Sequence, residues 1–167
     1  MVAQIDADYF RTSKRKSVAR LLAYALVEGR PLTTKGRWVN PFVFAQFALI
    51  KMLPKLKQVN SPIYILGTGR SGSTFLGNIL SLHPDICYLN EPKALWHSVY
   101  PNEDVIGNFT NDNAAFLLDD KVATQNVISR AHKLYAYALP ITKSNPILDK
   151  HGEIIFRISD LDIICDL

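Results

Sequence analysis

Gly67-Thr68-Gly69-Arg70-Ser71-Gly72-Ser73-Thr74 is the segment whose residue types and spacing could do chemistry. The spacing is that of a Walker A loop, G-x-x-x-x-G-K-[ST], with Ser73 where the lysine belongs. Glycines let a backbone curl so that successive N–H groups point inward. The first turn of a following helix adds unpaired N–H groups and a positive dipole end. The product is a cradle for an anion. In a nucleotide triphosphatase the lysine reaches the β- and γ-phosphates. Ser73 cannot do so, and Arg70 instead places a cation inside the loop, three residues earlier. The segment therefore suits an anionic group other than a triphosphate tail with magnesium. No run of four apolar residues ending in Asp stands in a fitting place, and Ile163-Ile164-Cys165-Asp166 is the nearest imitation. A plain strand-to-helix turn is the blander reading. Arg-Ser-Gly-Ser-Thr on top of the glycines favours the anion site.

Other chemistry-bearing residues are sparser. Glu91 follows a short apolar run and precedes Pro92. That puts it at the carboxyl end of a strand, where ligands collect in open α/β sheets. The alternative is a carboxylate that merely caps the turn or the helix starting near Lys93. His83 precedes Pro84 in a tight loop, which suits a structural role. His97, between Trp96 and Ser98, is a second and weaker candidate for a base. His132 and His151 have no partner in sight. Cys87 reads as a small buried residue, and no spacing of metal ligands occurs, so no metal is expected.

The elements that must position these residues follow from periodicity. Ile63 to Leu66 is a short continuous apolar run, which suits a strand buried on both faces. The Gly/Ser-rich loop follows, and Phe75, Leu76, Ile79 and Leu80 then return at helical spacing. Ile86 to Leu89 is a second strand, parallel to the first and reached by a crossover. A helix is expected after Asp119-Asp120, with Val122, Ile128, Ala131, Tyr135 and Leu139 on one face. Glu153 to Leu167 is ambiguous, and helical spacing of Ile154, Ile158, Leu161 and Cys165 favours a helix. Upstream, Arg11 to Glu28 reads as a helix with Val18, Leu21, Leu22, Ala25 and Leu26 in one apolar stripe, stopped by Gly29. Asn40-Pro41 starts another. It runs from Phe42 to Leu53, apolar almost all round, and Pro54 closes it. It is a core helix or one lying on an interface.

Composition bounds the rest. The 167 residues, 48% hydrophobic and 20% charged, make a folding chain of one domain or one domain with an appended arm. Two cysteines exclude a disulfide scaffold and fit a reducing compartment, so a cytoplasmic location is expected. No apolar run is long enough to span a bilayer, and the start of the chain does not read as a secretory signal. Residues 1–60 carry 11 Lys/Arg against 3 Asp/Glu, whereas residues 61–167 carry 8 against 12. We therefore expect a basic helical N-terminal arm (1–60) followed by an α/β domain (61–167). A basic arm suits peripheral contact with an acidic membrane surface, or is simply a solvated helical face. Nucleic acid is not the expected partner.

Gly69-Arg70-Ser71-Gly72-Ser73-Thr74-Phe75-Leu76, then Leu82-His83-Pro84, then Asn90-Glu91-Pro92, resemble the N-terminal part of a sulfotransferase dependent on 3′-phosphoadenosine 5′-phosphosulfate (PAPS). The resemblance covers about Ile63 to Pro92. It implies a P-loop-like parallel sheet with flanking helices, and PAPS as co-substrate. Gly69, Arg70, Ser71, Gly72, Ser73 and Thr74 would hold the 5′-phosphosulfate. Arg70 would also act in catalysis, and Glu91 would take the proton of an acceptor hydroxyl or amine. The acceptor is a carbohydrate, a lipid or a small molecule. Lys143-Ser144-Asn145-Pro146 resembles the family's Lys-[ST]-Pro element with one residue too many, and Phe156-Arg157-Ile158 with Leu161 resembles the helix after it. The strand and the 3′-phosphate grip that follow in relatives would lie past Leu167. The domain is therefore expected to be incomplete, with two confident strands, weak cofactor binding and little transfer. A nucleotide kinase or triphosphatase, and an anion-binding module without catalysis, remain the alternatives.

Overall fold

The computed structural model describes residues 11, 13–29, 35–54, 59, 61–103, 109, 121, 123–142 and 146–152. The segment 153–167, for which a helix is expected, lies outside the described residues, as do residues 143–145.

The fold is a parallel sheet with helices on both faces. Strands β1 (Ile63–Ile65) and β2 (Cys87–Asn90) do not pair with each other. A third strand, β3 (Ile147–Lys150), lies between them and pairs with both in parallel, giving the order β1-β3-β2. Among the described residues there are thus three strands, one more than the two confident ones expected. The extra strand was hidden because only Ile147 and Leu148 in it are apolar. Asp149 and Lys150 are nonetheless buried, each beside specific polar partners. The position of β1 at an edge also corrects its expected burial. Ile63 is 42% exposed and only Ile65 of that strand is buried.

Side chains alternate between the two faces of the sheet. The register sets Ile63, Leu148 and Tyr88 in one row, and Ile65, Lys150 and Asn90 in another, both on the same face. Helix α3 (Ser73–Leu80) covers that face. It approaches closely through Gly77, where a Cβ would come within 2.4 Å of the Tyr88 hydroxyl. The expected apolar positions of α3 are mostly turned away: Phe75 is 70% exposed and Ile79 48%. Tyr64, Leu89, Ile147 and Asp149 face the other way. There α2 (Asn40–Met52), α4 (Lys93–Val99) and α5 (Gln125–Thr142) pack on the sheet and on one another. The main core runs through Val43, Phe47, Leu95, Trp96, Leu134 and Ile147. The expected face of α5 is realised at Ile128, Ala131 and Tyr135, which are all buried. Val122 lies outside the described residues.

Helix α1 (Lys14–Ala23) continues as a π-helical turn, Tyr24–Glu28, and ends at Gly29, which has φ +69°. Its buried face departs from the expected stripe, of which Leu22, Ala25 and Leu26 are half-buried. Val18 and Leu21 are exposed, while Lys16, Ser17, Arg20, Ala23 and Val27 are buried. The reason is the open edge of β2, which offers backbone groups that apolar side chains cannot satisfy. Lys16 Nζ donates to the Ile86 carbonyl at 2.8 Å. Arg20 donates to the Tyr88 carbonyl at 3.4 Å. The Asn90 N–H donates to Glu28 Oε1 at 2.7 Å. Arg20 and Glu28 complete the seal as a buried ion pair. Ala23, Val27, Val43 and Phe47, from the first sixty residues, share one core with Leu89, Leu134 and Ile147.

Candidate functional site

The three strands end in one row, Ile65, Lys150 and Asn90, and the segments leaving them meet at the carboxyl edge of the sheet. After β1 comes the loop Gly67–Gly72. The Ser71 N–H donates to the Thr68 carbonyl at 3.3 Å, which makes the first half a turn. Gly67 lies beneath that turn, where a Cβ would stand 2.8 Å from Ser71 Oγ. Arg70 holds φ +68°, unusual for a residue with a side chain, and Gly72 holds φ +79° as the N-cap of α3. No side chain caps that helix. The intrahelical ladder starts with the Leu76 N–H on the Gly72 carbonyl at 3.0 Å. The N–H groups of Ser73, Thr74 and Phe75 therefore have no intrahelical acceptor. Thr68, Gly69, Arg70, Ser71 and Gly72 are exposed, and Ser73 and Thr74 are half-buried. Among the described residues the Arg70 guanidinium has no hydrogen bond or ion pair. The loop thus offers solvent a set of donors and one cation.

After β2 comes Glu91, with φ +53°. Its N–H donates to the Lys150 carbonyl at 2.6 Å, and its own carbonyl accepts from the Lys93 N–H at 2.7 Å. Its side chain is 48% exposed and takes a hydrogen bond from Lys150 Nζ on Oε1, at 2.6 Å. The Lys150 side chain is only 6% exposed. It stands on the face that carries α3, in the same row as Ile65, the strand residue just before the loop. Gly152 passes beside the Gly67 carbonyl. The carboxyl edge therefore brings together the loop 67–74, the Glu91 carboxylate and the Lys150 ammonium. The sequence does not single out Lys150, because its strand carries only two apolar residues. The available signal was a lysine two residues before Gly152, in the run Ile147-Leu148-Asp149-Lys150.

Behind this edge, on the opposite face, Asp149 is fully buried. Its Oδ2 accepts from Trp96 Nε1 at 2.9 Å and from the Tyr135 hydroxyl at 2.6 Å. Burial raises its carboxyl to about 7, against the two hydrogen bonds. The His candidates are placed elsewhere. His97 packs its ring on Phe44 and Phe109, at centroid distances of 5.6 and 5.3 Å. The His83 Nδ1 accepts from the Asp85 N–H at 3.3 Å, a turn bond of the expected structural kind. Cys87 is a buried free thiol.

The sulfotransferase family model matches residues 62–141. Carbohydrate sulfotransferase 7 of Mus musculus is 45% identical over 80 residues, which are 47% of this chain and 15% of that protein. Carbohydrate sulfotransferase 7 of Rattus norvegicus is 47% identical over 45 residues, 26% of this chain and 9% of that protein. The chain thus matches well under two thirds of the length of these relatives. No solved structure gives a significant match.

Proposed function

We propose that this chain, which carries a sulfotransferase-family segment at residues 62–141, binds PAPS at the carboxyl edge of its sheet and serves the transfer of a sulfuryl group to a carbohydrate hydroxyl. The observation that carries the reading is the convergence of the uncapped α3 N-terminus, Arg70, Lys150 and Glu91 on one edge. The carbohydrate acceptor rests on the names of the relatives.

The residues present fit such a donor. The loop offers the first-turn N–H groups of α3 and the Arg70 cation, and a Cβ at Gly69 or Gly72 would meet nothing within 4 Å, so the loop leaves open space on its outer side. PAPS supplies a sulfuryl group joined to a phosphate oxygen. The acceptor oxygen bonds to sulfur as that phosphate oxygen leaves with the electron pair. Arg70 and the first-turn N–H groups of α3 would offset the charge that grows on it, each well-aimed donor contributing about 3–4 kcal/mol. Lys150 holds Glu91 by Oε1, and Oε2 is the atom that would receive the acceptor proton. Ser73 in place of a lysine disfavours magnesium triphosphate in the same loop.

Calorimetric titration with 3′-phosphoadenosine 5′-phosphate tests the reading. Binding to the chain is expected, with a loss of roughly ten- to a hundredfold in Arg70→Ala, the range for one charge-assisted contact. Magnesium-ATP is expected to bind far more weakly. Preferential binding of magnesium-ATP, or an Arg70→Ala variant of unchanged affinity, would overturn it.

A further inference from the structure

Helix α2 is apolar on two sides. Val43, Phe47 and Ile50 fill the core. The outer side presents Pro41, Phe42, Ala45, Ala48, Leu49 and Met52, with no charge among them. Phe42 is 72% exposed, Leu49 67% and Met52 83%, and Trp38 in the preceding turn is 70% exposed. Helices that face water set polar residues there, so this surface is unusual.

The carboxyl end of the same helix supplies a second, independent feature. Lys51 and Met52 line a cleft of about 400 Å³ with Ser98, Ser129, Arg130 and Lys133. Three cations share it, and no carboxylate is among the described lining residues. The ammonium groups rest on backbone carbonyls: Lys51 Nζ donates to Ser98 at 3.4 Å, and Lys133 Nζ to Lys51 at 3.0 Å. Arg130 has no hydrogen bond or ion pair among the described residues. Burial and the Arg130 charge push the Lys51 ammonium below its ordinary value. An anion in the cleft would relieve that repulsion. Met52 belongs to both features, so the apolar face runs directly into the cation cleft.

We propose that this face docks on an anionic phospholipid bilayer, with the outer side of α2 lying in the interface and the Lys51–Arg130–Lys133 cleft taking a headgroup phosphate. Apolar side chains beside cations, with a Trp at one end, are the composition of an in-plane interfacial helix. Phosphate dissolved in water would use the cleft alone and leave Phe42 and Leu49 unexplained. A second copy of the chain would have to bring anions to the cleft. The exposed apolar side chains of α3 have no such cation cluster beside them among the described residues. The inference is independent of the nucleotide reading, and the α2 face shares no residue with the loop.

The two tryptophans make the test direct. Trp38 is exposed and Trp96 is 1% exposed, so a change of environment on docking is reported by Trp38. Vesicles of phosphatidylserine and phosphatidylcholine should shift its emission to the blue, with quenching by lipids brominated near the headgroup. Pure phosphatidylcholine vesicles and high salt should weaken the effect. Phe42→Ser with Leu49→Ser, both at exposed positions, should abolish the shift while the far-ultraviolet circular dichroism is kept. Arg130→Ala with Lys133→Ala should lower the partition onto anionic vesicles by roughly 10- to 30-fold. Absence of both the shift and co-sedimentation at low ionic strength would overturn the proposal. So would a blue shift that grows with protein concentration without vesicles, which would identify a second copy as the occupant.

Discussion

Glu91 and Lys150 hold each other twice, once through Oε1 and Nζ at 2.6 Å and once through the Glu91 N–H on the Lys150 carbonyl, also at 2.6 Å. The pair ties the end of β2 to the end of β3. It also keeps Glu91 in a left-handed conformation that costs of order 1–3 kcal/mol for a residue with a Cβ. The carboxylate is thus placed by the backbone as well as by its cation.

Glu91→Gln should separate placement from proton transfer. The amide keeps an oxygen for Lys150 and loses the base. If the proposed role holds, 3′-phosphoadenosine 5′-phosphate binding persists in calorimetry, while sulfuryl transfer falls by about 10²–10⁴-fold. Equal turnover in the variant and the parent would remove Glu91 from the proton step.

Lys150→Met keeps much of the buried stem and removes the charge. Nucleotide affinity should fall by about tenfold or more, since a charge-assisted hydrogen bond contributes about 1.5–3 kcal/mol. Glu91 should then become more mobile, because only its backbone bond to the strand end remains. An affinity equal to that of the parent would show that the Lys150 ammonium serves Glu91 alone.

The parts of this arrangement that were legible in the sequence are those that depend on local pattern. The loop announces itself through glycines between an apolar run and a helical spacing, and the strands at Ile63 and Cys87 lie where apolar runs stand. What was not legible depends on tertiary partners. Asp149 and Lys150 are poor residues for a central strand, and they are tolerated because Trp96 and Tyr135 donate to Asp149 Oδ2 and Glu91 accepts from Lys150. Likewise only part of the expected apolar stripe of α1 turns inward. The β2 edge needs Lys16, Arg20 and Glu28, and no periodicity encodes the need of another element's backbone.

The seal on the β2 edge makes Glu28 a stability determinant. Removing one partner of a buried ion pair leaves an uncompensated charge and costs about 3–5 kcal/mol. Glu28→Ala should therefore lower the urea midpoint strongly, and Glu28→Gln less, because its amide oxygen can still accept from the Asn90 N–H. Equal midpoints for parent and Glu28→Ala would show that solvent replaces the carboxylate at no cost.

Gly77 tests how α3, and with it the loop, is seated. A Cβ there would meet the Tyr88 ring at 2.6 Å and its hydroxyl at 2.4 Å, so Gly77→Ala must displace the helix or the ring. Overpacking of this kind costs about 1–3 kcal/mol. Adding Tyr88→Leu should recover part of the loss, a coupling that calorimetric melting of the single and double variants would measure. Additive effects would mean that the two residues do not oppose each other.

Asp149 and His151 flank Lys150 on β3 and its exit, both buried, and their titrations oppose each other. Burial raises the Asp149 carboxyl from its ordinary 3.8 to about 7, so its contribution to stability is full below about pH 4 and is lost as pH rises toward 7. Burial, with Lys93 and Lys150 adding to it, lowers His151 from 6.5 to about 3, so its contribution is full above about pH 6.5 and is lost as pH falls. Between about pH 4 and 6.5 the folded chain holds the Asp149 proton that the unfolded chain has released. Over the same range the unfolded chain holds the His151 proton that the folded chain excludes. Each imbalance of one proton gives a slope of about 1.4 kcal/mol per pH unit, of opposite sign. The two should nearly cancel in the parent. Asp149→Asn removes the falling slope and should leave stability rising with pH across the window. His151→Gln removes the rising slope and should leave stability falling with pH. Urea unfolding of the three proteins at several pH values within the window would show profiles that diverge in opposite directions. Parallel profiles would mean that neither group changes its protonation on folding.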